Sequence, residues 1–207
     1  MESSIDILKR FWKFIWHDDS LLSWITFIIV VFVLIKFIFF PAVSFVMGTS
    51  LPIVIVESCS MYHGTSFDKW WESNSEWYGE KNITKEQFSS FTMRKGFSKG
   101  DIFFVRGIEA EKLNIGDIII FASGTAKRPI IHRIVQLNPI ETKGDHNSGQ
   151  FNLNQPAKEN PERIDETHIN EEQIIGKVTF IKIPALGWIK LIFFEPFRAD
   201  NERGFCE

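Results

Sequence analysis

The sequence has little cysteine, little net charge and no repetition. Only two cysteines occur among its 207 residues, and at positions 59 and 206 they are too few and too far apart for a disulfide framework or a zinc site. The formal net charge is −3, with acidic and basic residues interspersed, which argues against a nucleic-acid partner because phosphate binding requires a basic stripe. Nothing in the sequence calls for a metal or an organic cofactor.

One long apolar segment stands out against this balanced composition. From Leu21 to Phe40 only Ser23, Thr26 and Lys36 interrupt the apolar residues, and at about 1.5 Å per residue this length crosses the roughly 30 Å hydrocarbon core of a bilayer. A buried core helix and a cleavable secretory signal are the alternatives, but the apolar part of a secretory signal usually covers only about 7 to 15 residues. We therefore predict a transmembrane signal anchor over residues 21–47.

The flanks of this segment predict its orientation. Basic residues precede it at positions 9, 10 and 13, whereas none follows it before Lys69, and basic flanks are retained in the cytoplasm. Residues 1–20 are expected to be a cytoplasmic amphipathic leader that could lie along the membrane surface. Residues 48–207 would then be an extracytoplasmic domain, held at the cell membrane or, alternatively, at the endoplasmic reticulum membrane.

The outer domain alternates short β-branched runs with turn residues, which is typical of a mainly β fold. The predicted strands are Pro52 to Glu57, Ile102 to Arg106, Ile118 to Ala122, Pro129 to Leu137 and Ile174 to Ile183.

Three segments interrupt this pattern. Residues 62–99 are rich in tryptophan and contain the capping-box pair Thr84 and Gln87, which predicts a small helical insertion. Its tryptophans could form a core of their own or rest on the bilayer interface. Residues 146–170 predict an exposed polar loop, and residues 183–197 predict an apolar edge that faces the membrane.

Three residues of the outer domain have side chains that could work together in catalysis. Ser60 follows the first predicted strand, where a lone serine is commonly only a turn or capping residue. Strand alternation places His132 on the apolar face of Ile134 and turns Arg133 to the other face; a histidine there is commonly a satisfied core residue. Yet a neutral imidazole is also well suited to take a proton from a serine hydroxyl. Asp145 could form a turn or fix the imidazole tautomer.

Several blocks, taken in order, resemble the type I signal peptidases, in the branch of archaea and the endoplasmic reticulum that uses a histidine where bacterial enzymes use a lysine. The blocks are Ser58-Cys59-Ser60-Met61, Lys99-Gly100-Asp101-Ile102, Gly116-Asp117-Ile118-Ile119-Ile120-Phe121 with Ile131-His132-Arg133-Ile134-Val135, Thr142-Lys143-Gly144-Asp145-His146-Asn147, and Gly176-Lys177-Val178 with Ile183-Pro184-Ala185-Leu186-Gly187. The insertion looks more like archaeal members. The resemblance implies a signal-peptidase-like, β-rich catalytic domain behind one N-terminal transmembrane helix.

The same resemblance implies a function and its residues. Ser60 would be the nucleophile, His132 its general base and Asp145 the acidic residue that supports the histidine. The chain would be a serine endopeptidase that removes N-terminal signal peptides from exported preproteins. Its partners would be secretory preproteins, membrane lipid and, as a further candidate, the protein translocation channel. The substrate would add as a strand beside residues 52–57 and 118–122.

Two positions depart from the family pattern. Cys59 stands where the family usually has glycine, directly after Ser58, whose hydroxyl would help the Ser60 amide to bind the oxyanion. Residues 148–152 contain no carboxylate, although family members commonly carry a second aspartate there. Asp165, farther along the polar loop, is therefore a candidate supporting residue.

Other chemistries and functions remain open at this point. Lys143 could form a rival Ser/Lys pair. The chain could instead be a catalytically silent scaffold subunit of a signal-processing complex, as the missing aspartate and Cys59 permit. It could also be an unrelated single-pass β-domain that binds an extracellular partner.

Overall fold

The computed structural model describes residues 3–207, apart from the side chain of residue 201, and it divides into two compact units. The first unit ends at Val46 and contains a leader helix, Ser4–His17, which begins after Ser3. The Ser3 hydroxyl accepts a hydrogen bond from the Ile5 amide and so satisfies a free donor of the first turn. Residues 1 and 2 of the predicted leader lie outside the described residues.

The second helix of this unit is the span helix, Leu21–Met47, which has 27 residues and a mean hydropathy of 2.7. It is long and apolar enough to cross a membrane, in agreement with the segment predicted from the sequence. Its π-helical turn, Ile35–Phe39, precedes Pro41, which has no backbone N–H to continue the regular hydrogen bonding. Near its start, the Ser23 hydroxyl donates to the Phe14 carbonyl of the leader helix at 2.6 Å.

The second unit, residues 47–207, is built on a six-stranded antiparallel sheet that curves into a half-barrel. Its strands are β1 (Ile53–Ile55), β2 (Ile102–Arg106), β3 (Ile118–Phe121), β4 (Ile130–Leu137), β5 (Ile140–Lys143) and β6 (Ile174–Ile183), in the spatial order β1-β2-β6-β3-β4-β5. The predicted bounds of β2 and β6 are confirmed, and those of β1, β3 and β4 are confirmed to within a few residues. No sequence pattern predicts β5.

The position of β3 contradicts one expectation about the substrate. β3 lies between β6 and β4 and is hydrogen-bonded to both, so that no peptide can add beside residues 118–121. The edges of the sheet are β1 and β5. Only the first of the two predicted docking strands is therefore an edge.

Helix outweighs strand in the whole chain, at 38% against 18%, so the prediction of a mainly β fold is only partly confirmed. The N-terminal helices and the insertion account for much of the difference. The insertion contains helices Phe67–Glu80 and Lys85–Ser89, and the Thr84 hydroxyl accepts from the Gln87 amide at the start of the second one. A further helix, Trp188–Phe194, follows β6.

Buried side chains pack against both faces of the sheet. On one face, Trp70, Trp71 and Tyr78 of the insertion are buried in a cluster that includes Val135 of β4. These tryptophans therefore belong to a core that the insertion shares with the sheet. On the other face, Ile134 lies in a separate cluster; its remaining buried members are Leu113, Ile119, Phe121 and Ile169.

The polar loop of residues 146–170 is less exposed than its composition predicts. Asn160 is buried, and its side-chain nitrogen Nδ2 donates to the backbone carbonyls of Asn152 and Ile164 at 3.1 and 2.7 Å. These bonds fold the loop back on itself. Glu166, which follows, is consequently delivered into the interior, where it is fully buried.

Candidate active site

The loop after β1 carries the predicted nucleophile, Ser60. At its start, the Val56 amide donates to the Asp101 carbonyl at 2.8 Å, and the Val56 carbonyl accepts from the Gly100 amide at 2.9 Å. At its end, the Ser60 carbonyl accepts a hydrogen bond from the His146 amide at 2.8 Å. The half-buried Ser60 is therefore fixed beside the chain that follows β5.

The polar groups of Ser60 are largely unengaged. Its Oγ lies 3.1 Å from the Oγ of the exposed Ser58, which is its one hydrogen-bond partner among the described residues. Its amide donates to no residue in the described part of the chain. The unpaired Ser60 amide and the nearby Ser58 hydroxyl are donors that could stabilise an oxyanion.

A disulfide joins Cys59 to Cys206 across a sequence separation of 147, with the Cα atoms 5.4 Å apart. That distance is ordinary for a disulfide. Cys59 is not among the described residues with positive φ, so its backbone does not demand the glycine that the family usually has there. Through the disulfide, Cys59 instead links the serine loop to the C-terminal segment.

His132 lies in β4, opposite Ile119 of β3, and it is buried, on the face that strand alternation predicts. Its Nδ1 is 2.5 Å from Oε1 of Glu166. Beside an ionised carboxylate, which can only accept, a neutral imidazole would carry its proton on Nδ1 and keep the Nε2 lone pair. Nε2 makes no hydrogen bond to any residue that the structure describes.

Glu166 is held by donors on every side. Its Oε2 accepts from the Phe151 amide at 2.8 Å, and its Oε1 lies 3.4 Å from the Thr142 hydroxyl. Its backbone is also fixed, because the Thr142 amide donates to the Glu166 carbonyl at 2.9 Å. Within the described residues, His132 is its one ion-pair partner. A buried carboxylate with this set of partners orients the imidazole and can stabilise it when it is charged.

Gly144 is the point where the histidine and the serine loop meet. A Cβ at this glycine would lie 2.7 Å from His132 Nε2 and 2.8 Å from the Ser60 carbonyl oxygen. Those two atoms are therefore no farther apart than the sum of these distances. Any side chain at this position would fill the space between the imidazole and the serine loop.

Asp145 does not contact His132, contrary to the prediction from the sequence. Its carboxylate accepts from Arg133 Nη2 at 2.8 Å, from Tyr78 Oη at 3.1 Å and lies 3.1 Å from His63 Nε2. Burial raises the pKa of the Asp145 carboxyl, but Arg133 and His63 outweigh burial and hold that pKa well below its ordinary value. Asp145 thus belongs to a buried ionic network on the opposite face of the sheet.

Lys143 also lies on the face opposite His132. It pairs across the ladder with Arg133, and its Nζ lies 5.0 Å from the ring centre of Trp77 and 5.1 Å from that of Tyr78. Burial lowers the pKa of the Lys143 ammonium from 10.5 to about 8. That pKa would suit a general base, but strand alternation turns the side chain to the face opposite His132, and its Nζ donates to the Gly144 carbonyl at 3.0 Å.

Asp165 does not contact His132 either. Its Oδ1 accepts from the Thr167 amide at 3.0 Å and from the Thr167 hydroxyl at 2.7 Å, which makes it a turn residue. The neighbouring residue, Glu166, takes the place expected for Asp165. The sequence signal for Glu166 is its place in the acidic pair of residues 165 and 166. Periodicity cannot decide which of these two neighbours points inward, because the loop is irregular.

No group of three or more histidine, cysteine, aspartate or glutamate side chains in the described part of the chain is arranged to hold a metal ion. A scan against protein-family profiles finds no match, and a search of curated proteins finds none either.

Proposed function

We propose that this chain is a membrane-bound serine endopeptidase that removes N-terminal signal peptides from exported preproteins, as type I signal peptidases with a Ser/His site do. The observation that carries this proposal is the position of His132. One ring nitrogen is held by the buried Glu166, and the other adjoins Gly144 beside the Ser60 loop. A serine, a histidine and a carboxylate in this order are the parts that acyl transfer requires.

The proposed mechanism follows from the tautomer of His132. Its unprotonated Nε2 accepts the Ser60 hydroxyl proton as Oγ attacks the scissile carbonyl, and the imidazolium is stabilised by Glu166. The proton then passes to the leaving amine, and an acyl group remains on Ser60. In the second half, Nε2 takes a proton from water as the water attacks the ester, and it then gives that proton to Ser60 Oγ as the new carboxyl product leaves. The Ser60 amide and the Ser58 hydroxyl would stabilise both oxyanions.

Strand β1 supports an extended mode of substrate binding. It pairs with β2 on one side only and is an edge of the sheet. A peptide can add to such an edge through main-chain hydrogen bonds. Because Ser60 lies a few residues beyond Ile55, a strand added beside β1 would present its peptide bonds to the serine loop.

The span helix and an apolar surface of the outer domain support a membrane location. We propose a cytoplasmic N-terminus and an extracytoplasmic domain at the cell membrane, from the basic leader and the order of the segments. In the predicted membrane-facing edge, Phe193 is 72% exposed and Phe197 is 87% exposed, and Phe180 of β6 is 81% exposed. Large exposed apolar side chains in such number are typical of a protein that rests on lipid or on a partner.

Preprotein processing by the full chain in detergent tests the proposal. We expect the parent to cleave a secretory preprotein at one site, and Ser60→Ala and His132→Ala each to reduce kcat by about 10⁴-fold or more. Ser73→Ala and His168→Ala, at exposed positions of the same residue types, are matched controls that should cleave at the parental rate.

Two outcomes would contradict the proposal. If Ser60→Ala and His132→Ala process the preprotein as well as the parent, these residues are not the catalytic pair. If the folded parent binds preproteins without cleaving any, the alternative of a silent scaffold subunit is favoured.

A further inference from the structure

The last residues of the chain converge on the loop that carries Ser60. We call residues 195–206 the C-terminal clamp. Its last contact is the disulfide from Cys206 to Cys59, the residue directly before Ser60. The clamp is therefore bonded covalently to the Cys59 side chain of the candidate nucleophile loop, one residue before Ser60.

A second contact of the clamp is made by Arg198, which is buried. Its Nη1 donates to the Glu57 carbonyl at 3.0 Å, and its Nη2 donates to Glu57 Oε2 at 2.7 Å. One guanidinium thus holds both the backbone and the side chain of the residue that begins the loop. Because a guanidinium is planar and rigid, paired bonds of this kind fix orientation as well as distance.

The clamp is itself anchored to the body of the domain by Lys99, whose side chain is buried. The Lys99 ammonium donates to Glu195 Oε2 at 2.8 Å and to the Glu202 carbonyl at 2.7 Å, and the Lys99 amide donates to Cys206 Sγ at 3.4 Å. Residue 99 is next to Gly100, whose amide donates to the carbonyl of Val56, the first residue after β1. The clamp and the serine loop therefore rest on the same piece of backbone.

We propose that the C-terminal clamp is a positioning element that holds Ser60 in register with His132, and that cleavage of the Cys59–Cys206 disulfide reduces turnover. This inference rests on the proposed function. Residues 57 and 59 are tied to the clamp, whereas the Ser60 carbonyl is tied to His146 on the other side. Releasing the clamp removes the ties nearest Ser60 on its N-terminal side and leaves the Val56 backbone bonds to residues 100 and 101 to hold the start of the loop.

The test uses the full chain in detergent, with Cys59→Ala/Cys206→Ala as the main variant. We expect kcat for preprotein cleavage to fall about tenfold or more with KM within about twofold, since a misplacement of about 1 Å can cost about 100-fold. Treating the parent with a thiol reductant should reproduce this fall and should not slow the double variant further. Leu113→Ala, in a buried cluster away from the clamp, is the control: it should lower the thermal midpoint and leave kcat unchanged.

Hydrogen exchange separates this inference from the proposed function. In the double variant, and in the reduced parent, we expect faster exchange at residues 57–62 and at the His146 amide, with little change in β3 and β4. If the parent cleaves no preprotein, the proposed function fails and this exchange pattern alone decides the positioning claim. Unchanged kcat, or unchanged exchange at these amides, would overturn it and leave the disulfide a purely stabilising bond.

A second variant keeps the inference testable if the double variant does not fold. Arg198→Lys retains the positive charge but cannot make both hydrogen bonds to Glu57. We expect a smaller fall in kcat with KM unchanged, together with faster exchange at residues 57–60. A parental kcat in this variant, with the thermal midpoint lowered, would contradict a positioning role for the clamp.

Discussion

Among the residues that the structure describes, two buried carboxylate–histidine pairs differ in what lies beyond the histidine. Asp145 lies 3.1 Å from His63 Nε2, and Glu166 lies 2.5 Å from His132 Nδ1. The other nitrogen of His63 is buried with no partner in the described part of the chain, and its ring stacks on Trp70. The other nitrogen of His132 adjoins Gly144 and the Ser60 loop.

The two carboxylates also differ in their charge partners. Asp145 is paired with the fully buried guanidinium of Arg133, whose remaining donors reach the carbonyls of Thr92, Met93 and Gly116. This network ties the insertion to the sheet. Glu166 has no cation beside it among the described residues except His132 when that histidine is protonated. The first pair is buried within a network of structural contacts, and under the proposed function the second would serve proton transfer.

Of the substitutions in the two pairs, Glu166→Gln is expected to have the largest effect on kcat. Since the Phe151 amide donates to Oε2, the glutamine must turn its carbonyl oxygen to that amide and its NH₂ group to His132 Nδ1. His132 is then forced into the tautomer with its proton on Nε2, which cannot accept the Ser60 proton. We expect kcat to fall by about 10⁴-fold, measured by preprotein cleavage. A parental rate would show that Glu166 does not set the tautomer.

Asp145→Asn should instead destabilise the fold. It leaves the Arg133 charge buried without its counter-ion, which typically costs about 3–5 kcal/mol, measurable by denaturant unfolding. Because the folded-state pKa of Asp145 is depressed, the parent should also lose stability as the pH falls below about 4, and the variant should lack this contribution. Undiminished stability with abolished cleavage would place Asp145 in the catalytic site and reverse the comparison.

Lys143→Met tests whether the lysine on the Asp145 face takes part in catalysis. The ring contacts to Trp77 and Tyr78 are compatible with an unbranched apolar side chain, so kcat should stay within about threefold. The folded-state pKa of Lys143 is lowered to about 8, so the unfolded parent binds more protons between that pH and 10.5. Parent stability should therefore rise by about 3 kcal/mol relative to the variant over this range. Loss of cleavage at neutral pH would support the Ser/Lys alternative.

The sequence predicts which face of the sheet His132 lies on, but it does not predict that Glu166 is its partner. The absence of β5 from the predicted strands explains part of this failure. Residues 140–143 form β5, in register with β4. Had this strand been recognised, alternation would have placed Asp145 with Lys143 and Arg133, and Gly144 on the side of His132. The motif alone instead predicts that Asp145 supports the histidine.

Glu166 and the disulfide could not be predicted from local pattern. Glu166 reaches His132 because Asn160 folds an irregular loop back on itself, and no period applies to such a loop. Cys59 and Cys206 are 147 residues apart, and their meeting depends on the whole fold. By contrast, β2 and β6 were predictable because their residues alternate or run apolar over a full strand.

Acylation of Ser60 tests directly whether this serine is a nucleophile that His132 activates. A serine-reactive acylating inhibitor is incubated with the folded full chain in detergent, and the modified residue is identified by peptide mass spectrometry. If Ser60, His132 and Glu166 act as proposed, we expect one adduct on Ser60 in the parent and in Lys143→Met. Labelling should be slowed by about 10⁴-fold in His132→Ala and in Glu166→Gln. Equal labelling of Ser60 in all four proteins, or none in the folded parent, would contradict this proposal.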